Sequence, residues 1–151
     1  MMTDEERAKW LILEHCRMIN DGNVEDLLQL YAEDCTFEDP VGNGKQHGLH
    51  ALSQRAAAAV FSGAFEDAAA PVASMDGQWA SVPMVSTFNY LPLAGPAMAE
   101  SGLLPATPPD NPAEKMIQVK MVMTIHVNEV GLVDRMMALY GSSDVSVIDR
   151  K

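Results

Sequence analysis

Helical spacing fills roughly the first sixty residues and two-residue alternation fills most of the rest, and this order restricts the fold more than any other feature. A chain that places its helices before its strands does not wind into alternating β–α–β units. It builds an α+β layer, with helices packed on one face of a curved antiparallel sheet. Residues 3–19 are predicted helical. Thr3 and Glu6 form a capping box, and Asp4, Glu5 and Glu6 suit the positive helix start. Leu11, His15 and Met18 share one face, beside Ile12, Cys16 and Ile19. Asn20-Asp21-Gly22-Asn23 stops this helix, and Asn23 caps a second over residues 24–31.

Residues 35–39 alternate. Cys35, Phe37 and Asp39 fall on one face and Thr36 and Glu38 on the other, with Pro40 ending the strand. Residues 41–48 read as a turn segment, and residues 49–61 as an Ala-rich helix closed by Ser62-Gly63. Four strands are then expected, over 66–73, 78–91, 115–127 and 132–140. Pro71 weakens the first, and Pro83 marks a bulge or an edge in the second. Residues 92–112 hold six of the nine prolines. Leu91, Leu93, Met98, Leu103 and Leu104 need burial, so this long segment reads as an ordered flap over a pocket mouth.

The length of 151 residues suits one domain, over 1–151. A net charge of −11 repels phosphate backbones and anionic membranes. Nucleic acid and membrane are therefore excluded as partners, and a small apolar molecule is favoured. Cys16 and Cys35 make neither a disulfide framework nor a metal knuckle, which suits a cytoplasmic location. Residues 1–9 lack the apolar core of a signal peptide, and no apolar run reaches the length of a membrane span.

Asp39 is the first candidate for chemistry. It lies in phase with Phe37 and Cys35, and a carboxylate on an apolar face is costly unless it is paired or protonated. A raised pKa is expected, as a general acid or base near neutral pH requires. The plain alternative is that Asp39 caps the turn ahead of Gly42. Glu66, between Phe65 and the mostly apolar stretch 68–72, is the second candidate; the plain alternative is a solvated strand-edge charge. Two carboxyls in one apolar cavity drive their pKa values apart, giving an acid and a base. His15 faces the expected sheet, and a hydrogen-bonded core histidine is the simple reading. His47 and His50 lack a third metal ligand. Met121, Met123, Met136 and Met137 suggest a soft apolar lining, and core packing explains them equally. No nucleophile elbow, P-loop or dinucleotide fingerprint is present, and neither metal nor cofactor is expected.

The block Tyr31-Ala-Glu-Asp-Cys-Thr-Phe-Glu-Asp-Pro-Val-Gly42, with Asn20-Asp-Gly-Asn-Val-Glu-Asp26 and Met136-Met-Ala-Leu-Tyr-Gly141, resembles the ketosteroid isomerase branch of the nuclear transport factor 2-like (SnoaL-like) superfamily. The resemblance implies a cone-shaped α+β fold in which three helices and the sheet enclose a deep apolar pocket, with Asp39 at the general-base position. The isomerase's oxyanion hole pairs a Tyr of helix 1 with a protonated Asp of the penultimate strand; His15 and Met123 stand at those places here. A thioether donates no hydrogen bond, which argues against steroid isomerisation.

Tyr90-Leu-Pro-Leu-Ala-Gly-Pro96, Ala99-Glu-Ser-Gly-Leu-Leu104 and Tyr140-Gly-Ser-Ser-Asp-Val-Ser-Val-Ile148 are similar to the polyether epoxide hydrolases, the cyclases of monensin and lasalocid biosynthesis. That likeness implies an Asp–Glu catalytic pair, matched by Asp39 and Glu66, and epoxide opening by a hydroxyl of the same polyketide chain. His15, Phe37, Trp79, Tyr90, Met121, Met123, Met136 and Tyr140 are the expected substrate-binding residues. Limonene-type epoxide hydrolases share the fold but set an Arg between two acids, which Lys120, Met121 and Met123 do not supply. The rival readings are another polyketide tailoring step (oxa-conjugate addition, dehydration or cyclisation), a steroid isomerase, and a non-catalytic binding subunit. A homodimer is the expectation from the family, through an open sheet face including Val122, Thr124 and Val127.

Overall fold

The computed structural model describes residues 1–150. Its elements run α1 (Asp4–Asp21), α2 (Val24–Leu28), β1 (Tyr31–Glu38), β2 (Gln46–His47), α3 (Gly48–Phe61), β3 (Phe65–Ala68), β4 (Val72–Ala73), β5 (Trp79–Asn89), α4 (Ala94–Glu100), β6 (Lys115–Val127), β7 (Val133–Leu139) and β8 (Val145–Asp149). The predicted capping box holds: Thr3 Oγ1 accepts from the Glu6 N–H, and Glu6 Oε1 accepts from the Thr3 N–H. Gly22 ends α1 at φ 73°, a left-handed conformation, so its N–H reaches the carbonyls of Ile19 and Met18.

Helix α2 is shorter than its spacing predicts, and Tyr31 belongs to β1. The Leu30 carbonyl accepts from the Val133 N–H, and Tyr31 pairs with Val133 on β7. Pairing with a distant strand overrides the local helical pattern. The sheet order is β2-β1-β7-β6-β5-β3, with β4 also on β5 and β8 on β6. One expectation needs correcting: β1 and β7 run parallel, so the sheet is mixed rather than antiparallel. Hairpins force antiparallel neighbours, as β1 and β2 are; β1 meets β7 only from far along the chain, with no such constraint.

Pro71 splits the expected strand over 66–73 into β3 and β4. The break faces Pro83, whose carbonyl accepts from the Ala69 N–H at 2.9 Å. Pro83 lacks a donor where the neighbouring strand is interrupted, which is how a proline sits in mid-sheet. Strand β6 is long enough for two partners along one edge, β8 over Lys115–Val119 and β7 over Val122–Val127. Neither β8 nor α4 was expected from the sequence.

The concave face of the sheet is apolar. Ala80, Val82 and Met84 of β5 and Met123, Ile125 and Val127 of β6 pack against Leu11, Ile12, Cys16 and Ile19 of α1 and Leu52 and Ala56 of α3. Val127 therefore does not join the open face with Val122, because strict alternation puts it in phase with Ile125. A second cluster lies beneath the proline-rich segment, where Met98 and Leu104 pack with Tyr90, Ile117 and Val119. At Gly95 a Cβ would come within 2.4 Å of the Tyr90 ring, so only glycine lets α4 seat there.

Candidate active site

A cavity of about 200 Å³ opens between α3, α4 and the concave sheet. Met121, Met123, Met136, Val119 and Phe88 form its floor, and Leu93, Ala94, Ala97 and Met98 of the flap lie over it. Seven ionisable or polar groups enter this apolar space: His15, Asp39, Arg55, Ser62, Glu66, Ser86 and Tyr140.

Asp39 follows the last residue of β1. The turn beyond it is capped by its neighbour: Glu38 Oε2 accepts from the N–H groups of Gly42 at 2.8 Å and Gly44 at 3.3 Å. Asp39 is thereby left to enter the cavity. Its Oδ1 accepts from the Tyr140 hydroxyl at 2.7 Å, and its Oδ2 lies 3.0 Å from Arg55 Nη2. Of the two ways to keep a carboxyl on an apolar face, the structure shows pairing. The Asp39 charge raises the Arg55 pKa, and burial followed by the Asp39 charge raises that of Tyr140. Tyr140 thus stays a proton donor.

Glu66 has the opposite environment. Burial pushes its pKa up to about 7, the Cys16 thiol draws it partly back, and the Asp39 charge adds to the rise. Its Oε1 is buried without a hydrogen-bond partner. The backbone around it is firmly held, since Asn20 Nδ2 donates to the Glu66 carbonyl at 2.9 Å and Asn20 Oδ1 accepts from the Glu66 N–H at 2.6 Å. The side chain of α1 thereby acts as an extra strand along the free edge of β3. His15 Nε2 stands 4.0 Å from Glu66 Oε1. Burial drives the His15 pKa down to about 4, against the opposing pull of Asp39, so the ring is neutral near pH 7. Its Nδ1 is 2.8 Å from the Tyr31 hydroxyl, whose ionisation burial suppresses. We assign the ring proton to Nε2, with Tyr31 donating to Nδ1, because this aims a donor at the unpartnered Glu66 oxygen.

The structure brings Asp39, Glu66, His15, Met121, Met123, Met136 and Tyr140 around one cavity. It places three other expected substrate contacts elsewhere. Phe37 is 2% exposed within the main core. Trp79 packs on His126, ring centroids 4.6 Å apart, and beneath the Arg135 guanidinium. Tyr90 lies under α4 in the second cluster. Packing between elements, not the pocket wall, uses these three aromatic side chains.

Arg55, Ser62, Ser86 and Asn20 were missed. The pocket arginine comes from α3 rather than β6: Arg55, whose cavity-facing neighbours Ala58, Ala59 and Ser62 lie three, four and seven residues on. Ser86 interrupts the apolar phase of β5 between Met84 and Phe88, a visible signal. Among the described residues, no group of three or more His, Cys, Asp or Glu is placed to hold a metal ion, and no helix is long and apolar enough to cross a membrane.

A SnoaL-like domain model matches residues 12–136. The chain is 44% identical over 146 residues to "Epoxide hydrolase LasB" of Streptomyces lasalocidi, a match covering 97% of this chain and 51% of that protein. The chain thus spans about half the length of the curated relative it matches. Its backbone superposes on SalBIII, an epoxide hydrolase/cyclase-like enzyme of pyran ring formation in polyether salinomycin. That match has a TM-score of 0.78 and 22% identity over 97% of this chain and 100% of SalBIII. A computationally designed 17-OHP binder shares the fold at a TM-score of 0.75 and 15% identity, over 98% of this chain and 100% of the other.

Proposed function

The chain belongs to the SnoaL-like domain family, and from that premise we propose that it opens an epoxide on a polyketide chain with a hydroxyl of the same molecule, forming a cyclic ether. The observation that carries this reading is the unequal pair of carboxyls in one apolar cavity. Asp39 is paired with Arg55 and Tyr140, whereas burial lifts Glu66 to about 7. The ion-paired carboxyl is placed to act as the base and the buried, unpaired one as the acid. Glu66 gives its proton to the epoxide oxygen as the C–O bond breaks. Asp39 takes the proton of the attacking hydroxyl as the new C–O bond forms. The tether between nucleophile and epoxide supplies much of the rate. The flap keeps out water, which would give a diol. The protein acts as a single domain in the cytoplasm, as a homodimer, and on a small apolar substrate without a cofactor.

The 44% identity to an epoxide hydrolase supports the substrate class. Single turnover of a synthetic hydroxy-epoxide fragment, read by mass spectrometry and NMR, tests the reading. Wild type should give the cyclic ether, and both Asp39→Asn and Glu66→Gln should lose it. Loss in Asp39→Asn alone would point instead to a one-carboxylate reaction such as oxa-conjugate addition.

A further inference from the structure

We infer that Ser86 and Glu66 together form the subsite for the epoxide oxygen, with the Ser86 hydroxyl donating a hydrogen bond to that oxygen as its C–O bond breaks. This rests on the epoxide-opening reading and adds to it a second donor.

The case starts from strand register. Glu66 of β3 lies directly opposite Ser86 of β5. In an antiparallel ladder, opposed residues either exchange backbone hydrogen bonds or point those groups outward. The Glu66 N–H and carbonyl are both bonded to Asn20, on the side away from β5. Glu66 and Ser86 are therefore a non-hydrogen-bonded pair, the class whose Cα atoms approach to about 4.5 Å and whose side chains stand closest. Both side chains line the cavity. The adjoining pairs agree, since the Ala69 N–H bonds the Pro83 carbonyl three rungs along, in the hydrogen-bonded phase.

Ser86 is also out of place unless something uses it. It is 4% exposed and is the one buried polar residue of β5 and β6, among Ala80, Val82, Met84, Ile117, Val119, Met123 and Ile125. Ser86 lines the cavity, and Glu66 Oε1 beside it is buried with no hydrogen-bond partner. A buried carboxyl oxygen without a partner, beside a hydroxyl on an apolar wall, is costly to maintain. A ligand oxygen lying between them would accept from both.

The chemistry balances. The Glu66 O–H bond breaks and its proton goes to the epoxide oxygen, while the epoxide C–O electrons move onto that oxygen. The substrate hydroxyl forms the new C–O bond and its proton passes to Asp39. Ser86 keeps its proton and only shares it, stabilising the charge that builds on the oxygen before protonation is complete.

The test uses the full chain with Ser86→Ala, Ser86→Cys, which keeps the volume with a weaker donor, and Ser86→Thr, which keeps the hydroxyl. Two quantities are measured: the single-turnover rate on a hydroxy-epoxide, and the Kd of the ring-closed alcohol product by titration calorimetry. Ser86→Ala and Ser86→Cys should each slow turnover about 100-fold, the lower end of the loss seen when one such donor is removed. Both should weaken alcohol binding several-fold, and Ser86→Thr should restore most of both. Turnover by Ser86→Ala within about twofold of wild type overturns the assignment, because a donor to the breaking bond must show in the rate. If wild type itself fails on hydroxy-epoxides, the epoxide reading fails. The calorimetry then still decides the subsite: equal alcohol affinity in wild type and Ser86→Ala overturns it, and weaker affinity in the variant supports it.

Discussion

At the scale of single residues, the site works by giving two carboxyls different surroundings. Asp39 meets a guanidinium and a phenol; Glu66 meets apolar walls, a thiol and a neutral imidazole. The strain this places on Glu66 has a measurable sign. Its folded pKa is about 7 against an ordinary 4.5, so between those values the native state holds a proton that the unfolded chain releases. Native stability therefore falls as pH rises from about 4.5 through 7. Glu66→Gln removes the penalty. Thermal denaturation should show this variant several degrees more stable than wild type near pH 8 and little changed near pH 4. The catalytic counterpart is an alkaline limb: kcat should drop about tenfold per unit above pH 7, as Glu66 loses the proton it donates. A flat profile to pH 9 would remove Glu66 as the acid.

Asp39 and Glu66 were visible as candidates because each interrupts an apolar pattern. Their difference was not visible, because it comes from Arg55 and Tyr140, which approach from α3 and from beyond the end of β7. Arg55 reads locally as an ordinary charge on an Ala-rich helix. Only the fold brings it 3.0 Å from a residue sixteen positions away.

At the scale of elements, the short ones escaped the sequence. Helix α4 opens Ala94-Gly95-Pro96, which reads as loop, although proline is tolerated in a first helical turn. Strand β8 has five residues, too few for alternation to stand out. The long elements were legible, and β6 runs over Lys115–Val127 as its alternation predicts. Two element-level devices hold the site. The first is the Asn20 clamp on β3, an edge strand of four residues. Asn20→Ala should free that edge and let the Glu66 carboxyl move towards water. The expected result is a kcat about tenfold lower with the alkaline limb moved below pH 7, because less burial means less upward shift. A loss of stability with the limb unmoved would mean that Asn20 only supports the fold. The second device is the contact of Gly95 with Tyr90. In Gly95→Ala the added methyl must push α4 off the Tyr90 ring. Water should then enter beneath the flap, and the ratio of diol to cyclic ether, read by NMR, should rise.

At the scale of the whole molecule, the convex face of the sheet carries an exposed apolar row. Pro83, Val122 and Leu139 lie in register across β5, β6 and β7, on the side away from the cavity. Val122 is 37% exposed and Leu139 50% exposed, and Val41, at 40%, donates its N–H to Ala138 beside them. A net charge of −11 keeps separate molecules apart in dilute solution, so an apolar row left uncovered is a liability unless it meets a partner. A second copy of the chain is the partner expected, with the same face on both subunits. Sedimentation velocity should give about twice the mass of one chain at micromolar concentration. Adding salt should strengthen the association, because screening weakens the repulsion between like-charged subunits while leaving apolar burial intact. Leu139→Lys should convert the dimer to monomer by burying an unpaired ammonium at the centre of the row. Its β7 neighbours Met136 and Ala138 point the other way, into the cavity, so each monomer should still bind the cyclic alcohol. A wild-type protein that sediments as a monomer at every concentration and salt would exclude the dimer. A Leu139→Lys variant that stays dimeric would move the interface to another face.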